Sequence, residues 1–310
     1  MYEDNNISKV HSQRSTTAYS VISAGLRMAV SEHRIDVVRK LLELSGIDPN
    51  YNDDHDGLGD GAEWERNEAL ELQLGPNFAG LTPLMLAARM SWTECVDLLL
   101  QHTDIDVNKT DDYDKPANED YDEQWTALFY AIQGGNTECV RLIYERIDFP
   151  TRGLTDSNIL EHVPHAHVAK YLIELGVANT QISHQEAMSR AIESDNGDVL
   201  QVLIDHKLVY INDPIDRYRH FQAGKPALRP LERSIDLGQL KCVRVLMKAP
   251  DIKITSSMYL LALNLTRGRH GRKIRKMFRR HYSAMAQYVV RNRLHGKSEN
   301  LERLVGNMFG

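Results

Sequence analysis

The sequence has little cysteine, and what it has is scattered. Three thiols, Cys95, Cys139 and Cys242, are odd in number and far apart, which excludes a disulfide framework and a zinc cluster of short ligand spacing. Reduced thiols are expected. Long apolar runs are missing as well: no stretch approaches the roughly 20 residues that a bilayer-spanning helix needs, so no membrane span is expected. The first ten residues, MYEDNNISKV, are polar and acidic, where a secretory leader would carry a positive end and then an apolar segment. The expected home is the cytoplasm, with attachment to the cytoskeleton as one form of it.

Catalytic signatures are lacking too. The chain has no phosphate loop of the Walker kind, no dinucleotide glycine fingerprint after a strand, no HExxH and no nucleophile elbow. The triplet Ser194-Asp195-Asn196 echoes a penicillin-binding motif without its companions. Acidic side chains in exposed loops have no pocket to shift their pKa values for acid-base work. Neither enzyme activity nor a cofactor is expected.

What is present is a division of charge. Between Arg267 and Lys297 lie eleven Lys or Arg and no acid, so of the chain's net −6 the remainder carries −17. The tail attracts acidic surfaces and the body repels them. Head-to-tail self-association is one consequence that the asymmetry permits.

Repetition organises the rest. RIDVVRKLLELSGIDPN (34–50), TECVDLLLQHTDIDVN (93–108) and TECVRLIYERIDFP (137–150) can be laid over one another, preceded by LRMAVSEH, TPLMLAARMSW and TALFYAIQGGN. Weaker copies follow at 167–179, 186–212 and 230–255. The pattern resembles the ankyrin repeat, a turn and two antiparallel helices in about 33 residues. Gly80, Thr82, Pro83, Leu84, Ala87 and Ala88 fit its first helix, and Val96, Leu98, Leu99, Leu100, Asp106, Val107 and Asn108 fit its second helix and exit. Pro83 suits a first helical turn capped by Thr82. Each cysteine aligns with Val37 of the first copy, on the inward stripe of the second helix, where a thiol acts as a small apolar group.

The resemblance implies an all-α, ankyrin-type helical solenoid of six or seven repeats with a C-terminal helical extension. The expected divisions are a flexible arm over 1–16, the array over 17–255, and capping helices over 256–310, beginning at Ser256. The fourth copy has a shortened first helix around Ser157 to Val163. Ala29, Ala87 and Ala131 occupy equivalent sites; their spacing leaves surpluses of about 25 and about eleven residues over the usual period. These are expected as acidic fingers near 51–79 and 109–124 on one edge of the stack.

Two metal readings arise. In NDDHDGLGDGAE, Asn52, Asp54, Asp56, Asp60 and Glu63 fall at oxygen-ligand places of an EF-hand loop with Gly57 at the turn. Against calcium, the loop opens with Asn, Gly59 stands where an aliphatic residue belongs, and Pro49 and Asn50 replace an entering helix; an unliganded acidic loop is the preferred reading. His162, His165 and His167 crowd together in HVPHAH without a carboxylate or cysteine companion, and no site is assigned to them.

Binding remains. The resemblance implies partner contacts just before the Thr-Pro-Leu start and just after the alanine pair: Leu81, Arg89 and Met90 in the second copy, Trp125, Gln133 and Gly134 in the third. Trp125 has two readings, an exposed anchor of binding energy or a ring packed beneath the finger. In the tail, Ile274, Met277, Phe278, Met285, Tyr288 and Val289 recur at helical spacing amid Arg272, Lys273, Arg275, Lys276, Arg279 and Arg280. Either the stripe seals the solenoid and the charges face water, or the charges grip an acidic protein, nucleic acid or lipid surface, or calmodulin-type capture occurs. Leu301, Leu304, Val305, Met308 and Phe309 form one face of a last short helix. The expected function is a non-enzymatic scaffold or adaptor for one or more proteins. The alternatives are a tubulin-, actin- or nucleic-acid-binding protein attached through the basic helix, microtubules being the acidic polymer in view, and a calcium-responsive regulator.

Overall fold

The structure, a computed structural model, describes residues 21–52, 80–111, 125–147, 159–176, 181–215, 228–264 and 270–293. Among the described residues all regular structure is helical, apart from one isolated antiparallel bridge between Thr110 and Thr126. The chain forms two compact units, divided between Thr155 and Asp156.

The first unit holds three helical hairpins: α1 (21–31) with α2 (Ile35–Leu42), α3 (Pro83–Arg89) with α4 (Thr93–Leu100), and α5 (Ala127–Gly134) with α6 (Thr137–Tyr144). First helices stack on first helices, α3 on α5, and second on second, α2 on α4 and α4 on α6. Local chemistry starts α3. Pro83 stands at its first turn, Thr82 Oγ1 accepts from the Met85 amide at 3.2 Å, and Met85 Sδ accepts from the Thr82 amide at 3.4 Å. All residues from Pro83 to Ala88 are buried. A helix with no polar side over six residues is stable only between neighbours, since each large apolar side chain gains about 1.5–3 kcal/mol by leaving water.

The second unit repeats the plan. A 3₁₀ turn (Ile159–His162) precedes α7 (Ala166–Glu174); α8 (Gln181–Glu193) pairs with α9 (Gly197–Asp205), α10 (Pro230–Asp236) with α11 (Leu240–Leu246), and α12 (Ser256–Asn264) with α13 (Gly271–Arg293). One ladder runs from the 3₁₀ turn through α8, α10 and α12, the other from α7 through α9, α11 and α13. The first helix expected near Ser157 to Val163 is thus a single 3₁₀ turn in its described part, and α7 starts two residues after Pro164. Thr255 repeats the device of Thr82, its Oγ1 accepting from the Met258 amide at 3.4 Å, so α12 opens like the first helix of another hairpin.

One position is the same in five hairpins. Four residues after Ala29, Ala87, Ala131, Ala191 and Ser234, the chain turns through the left-handed region at His33, Ser91, Gly135, Asp195 and Gly238, with φ of 56°, 61°, 79°, 52° and 73°. At four of these turns the next amide donates back to the alanine or serine carbonyl, at 2.8 Å from Arg34, 2.9 Å from Trp92, 2.7 Å from Asn196 and 2.8 Å from Gln239. These bonds close the first helix and reverse the chain, as a Schellman-type end does.

At two hairpin exits an asparagine fastens the chain to the next exit. Asn50 Nδ2 donates to Asp104 O at 2.7 Å and its Oδ1 accepts from the Asp106 amide at 2.7 Å. In the second unit Asn212 does the same to Asp251 O and the Lys253 amide, both at 2.8 Å. A side-chain amide has one donor side and one acceptor side, which matches an extended backbone segment.

The three cysteines are buried at 0 % exposure. Burial pushes the thiols up, Cys95 to about 11 and Cys242 to about 12, with Cys139 raised as well. They are core groups in their second helices, not nucleophiles. No helix among the described residues is long and apolar enough to cross a membrane.

Candidate partner-binding surfaces

The residues picked out for binding flank α3 and α5: Leu81 and Trp125 precede them, and Arg89, Met90, Gln133 and Gly134 lie at their ends. Arg89 places its guanidinium 5.7 Å from the centre of the Tyr130 ring. Trp125 stacks on Phe129 with ring centres 3.6 Å apart, and Phe129 meets Tyr130 edge-on at 5.5 Å. Trp125 is half-buried, with Phe129 against its ring and part of the residue accessible. Met90, at the end of α3, is 37 % exposed, and Gln133 is half-buried.

Two of the six residues do other work. Leu81 is 1 % exposed, and its carbonyl accepts from Arg27 Nε at 3.0 Å. Its side chain therefore offers nothing to a partner. Burial holds the Arg27 guanidinium below its ordinary value. A Cβ on Gly134 would lie 2.6 Å from Arg89 O and 2.8 Å from Ala88 O, so this glycine lets α5 approach the end of α3.

Asp111 joins the finger to this cluster. It is 4 % exposed; its amide donates to Trp125 O at 2.9 Å, its Oδ1 accepts from the Trp125 amide at 2.8 Å, and its Oδ2 accepts from Tyr130 Oη at 2.6 Å. With the Thr110–Thr126 bridge, these bonds close the base of the second insertion. Sequence reasoning missed Asp111, Phe129 and Tyr130. The available signal was Tyr130 itself, aligned with Leu86: a tyrosine in a core position needs a partner for its hydroxyl.

In the second unit Leu237 ends α10 in the register that Met90 has at the end of α3, and it is 40 % exposed. It too was missed.

The other sequence candidates resolve unevenly. Asn52 is 5 % exposed, and its Oδ1 accepts from Lys109 Nζ at 3.1 Å, while the same ammonium donates to Asn50 O at 3.0 Å. An ammonium occupies the oxygen that would lead the calcium set, so Asn52 is a structural residue at the exit of its hairpin. Asp54, Asp56, Asp60 and Glu63 lie outside the described residues, as do the arm over 1–16 and Leu301 to Phe309. The His165 and His167 rings lie 5.7 Å apart, and among the described residues no group of three His, Cys, Asp or Glu is placed to hold a metal ion. Asp195 of the Ser-Asp-Asn triplet accepts at Oδ1 from the Lys241 and Cys242 amides, at 2.9 and 3.1 Å. It caps the neighbouring helix α11.

On α13, Ile274 and Phe278 are 0 % exposed and Met277 is half-buried. The helix packs on α11 and α12, and Tyr282 Oη donates to Thr255 O at 3.1 Å. Its apolar stripe over 274–282 is thus used within the unit, which leaves no such face there for calmodulin-type capture. The side chains of Met285, Tyr288 and Val289 lie outside the described ones.

A family model for ankyrin repeats matches residues 61–152 in three copies. Chains of solved structures also match, 75 in number. One is the crystal structure of the ankyrin repeat domain of Bcl-3, a unique member of the IkappaB protein family, at 17% identity over 80% of this chain and 96% of that one, with a TM-score of 0.46. The sequence matches no curated protein.

Proposed function

Because this chain is an ankyrin-repeat protein, we propose that it is a non-enzymatic adaptor that binds a protein partner along the ends of its first helices. The observation that carries this reading is the accessible side chains at the ends of α3 and α5, where Met90 is 37 % exposed and Arg89 and Gln133 are half-buried, with the half-buried Trp125 just before α5. Repeat stacking holds those backbones rigid, so a partner need not pay for ordering them, and an exposed thioether with a half-accessible tryptophan supplies adaptable apolar contact. In the second unit, taken by itself, Leu237 is exposed at the equivalent helix end.

The test is affinity isolation from native extract with the whole chain, compared with Met90→Glu and Gln133→Glu together. The expected result is loss of a specific protein by this variant, its thermal melt being unchanged, and retention by the same changes at Lys40 and Gln101. Retention by the first-helix variant overturns the reading. Attachment to cytoskeleton or nucleic acid through the cations of α13 concerns a different surface. No described residue favours calcium regulation, since Asn52 is engaged by Lys109.

A further inference from the structure

The second helix of the last described hairpin carries its charges on one side. Arg272, Lys273, Lys276, Arg279 and Arg280 are exposed and Arg275 is half-buried. At about 100° per residue these six positions spread around the side opposite Ile274 and Phe278, both 0 % exposed. From Arg272 to Arg280 the stripe rises about 12 Å. No described carboxylate forms an ion pair with any of the six, and α11 and α12, the helices packed against α13, contain no acid. Helix α11 exposes Lys241 and Arg244 instead. Six like charges along about 12 Å of helix, without a described counter-charge, repel one another and raise the local potential, which an anionic partner lowers.

We propose that this face docks a short acidic segment of a partner protein, independently of the first-helix row. Three observations choose that occupant over a membrane or a nucleic acid. An interfacial helix must bury its apolar side in lipid, and here Ile274 and Phe278 are enclosed by the chain's own helices. Single-stranded nucleic acid is held by aromatic stacking beside charge, and the outward positions from Arg272 to Arg280 include no aromatic residue. Between Arg280 and Arg291 the sequence holds no Lys or Arg, so an extended polyanion running on along the helix meets no further cation over the next ten residues. A run of a few carboxylates ends where the stripe ends. Four of the six cations are arginines, whose fork takes carboxylates two bonds at a time.

The test titrates the full chain with a fluorescent peptide of about eight glutamates, the length that covers the stripe as a helix. Binding is expected at about 50 mM salt and should weaken about tenfold or more by about 200 mM. Arg272→Glu, Lys276→Glu and Arg279→Glu combined should lower the affinity by at least about tenfold at low salt, with the melting temperature unchanged because all three side chains are exposed. The same charge change at Lys40, Lys170 and Lys207 should leave binding intact. Equal loss in that control overturns the assignment to this face by showing a net-charge effect. Tighter binding of a short DNA duplex, or of vesicles of equimolar phosphatidylserine and phosphatidylcholine, overturns the acidic-segment occupant. So does self-association at low salt that the α13 variant abolishes, which would give the face to a second copy of this chain.

Discussion

Tyr130 donates its hydroxyl to Asp111 across 19 residues of sequence, at 2.6 Å and out of water. The same carboxylate holds the Trp125 amide at 2.8 Å, so one buried acid ties the helix α5 to both ends of the acidic insertion. Burial first, and then the bond to Asp111, raises the Tyr130 pKa above its ordinary 10.0. Tyr130→Phe removes the donor and leaves a buried carboxylate oxygen short of a partner; the expected loss is about 1–3 kcal/mol by urea denaturation. A group whose pKa is raised by folding stabilises below its unfolded value, so this contribution should fade as pH rises past 10. An unchanged midpoint in the phenylalanine variant would show that water satisfies Asp111.

Gly134 tests how tightly the first helices stack. In an isolated helix, alanine is better than glycine by about 1 kcal/mol. Here the added methyl would meet Arg89 O at 2.6 Å and Ala88 O at 2.8 Å. Both are backbone atoms at the end of α3, and neither can swing aside as a side-chain tip can. Ser91 Oγ also donates to Gly134 O at 3.0 Å, fixing the approach. Gly134→Ala should therefore destabilise by about 1–3 kcal/mol, read as a lower thermal midpoint, and should weaken any partner that uses Met90. A midpoint raised by the substitution would mean that α3 and α5 separate freely.

What the sequence shows and what it hides divide along locality. Thr82 and Pro83 announce the start of α3 because capping involves residues three apart, and the cysteines betray the inward stripe because each copy repeats it. The helical character of the described residues and the hairpin order follow from such short-range signals. That Leu81 is buried and that Gly134 spaces two helices depends on neighbouring hairpins, on Arg27 in one case and Arg89 in the other. The Asp111–Tyr130 bond was invisible for the same reason. Asp195, in a triplet without its catalytic companions, has a role that depends on distant residues: its carboxylate accepts from amides 46 and 47 residues away. Repeats make local geometry legible; the side chains that bind one repeat to the next have no fixed identity.

Left-handed turns show where sequence and geometry disagree at a cost. Lys207 closes α9 at φ 55°, with the Leu208 amide donating to Leu203 O at 3.1 Å. A side chain in that region costs about 1–2 kcal/mol, while glycine adds about 0.5–1 kcal/mol of unfolded-state freedom. Lys207→Gly should accordingly stabilise by about 0.5–1 kcal/mol, since the lysine is exposed. Asp195 has φ 52° and gives the opposite expectation. Asp195→Gly removes the acceptor of two amides in α11, and loss of a cap costs about 1–2 kcal/mol. Urea midpoints moving in opposite directions would confirm both; a rise in the Asp195 variant would show the cap to be idle.

The buried thiols give the fold an alkaline limit. Desolvation pushes Cys95 up to about 11 and Cys242 up to about 12, from 9.0 in the open chain. Neighbouring Glu94 and Asp195 add to the effect. The folded chain thus keeps protons that the unfolded chain releases. Below pH 9 this stabilisation is complete, and it is lost as pH rises toward 11 and 12, at up to about 1.4 kcal/mol per pH unit for each thiol. Cys95→Ala and Cys242→Ala create small cavities and lower stability at every pH, so the informative quantity is the slope. Urea denaturation at successive pH values should show the wild-type chain losing stability more steeply above pH 9 than the double variant. An aromatic disulfide reagent should leave all three thiols unmodified in the folded protein and label three after unfolding, because each is 0 % exposed. Equal slopes, or rapid labelling without denaturant, would place the second helices of these repeats in exchange with water.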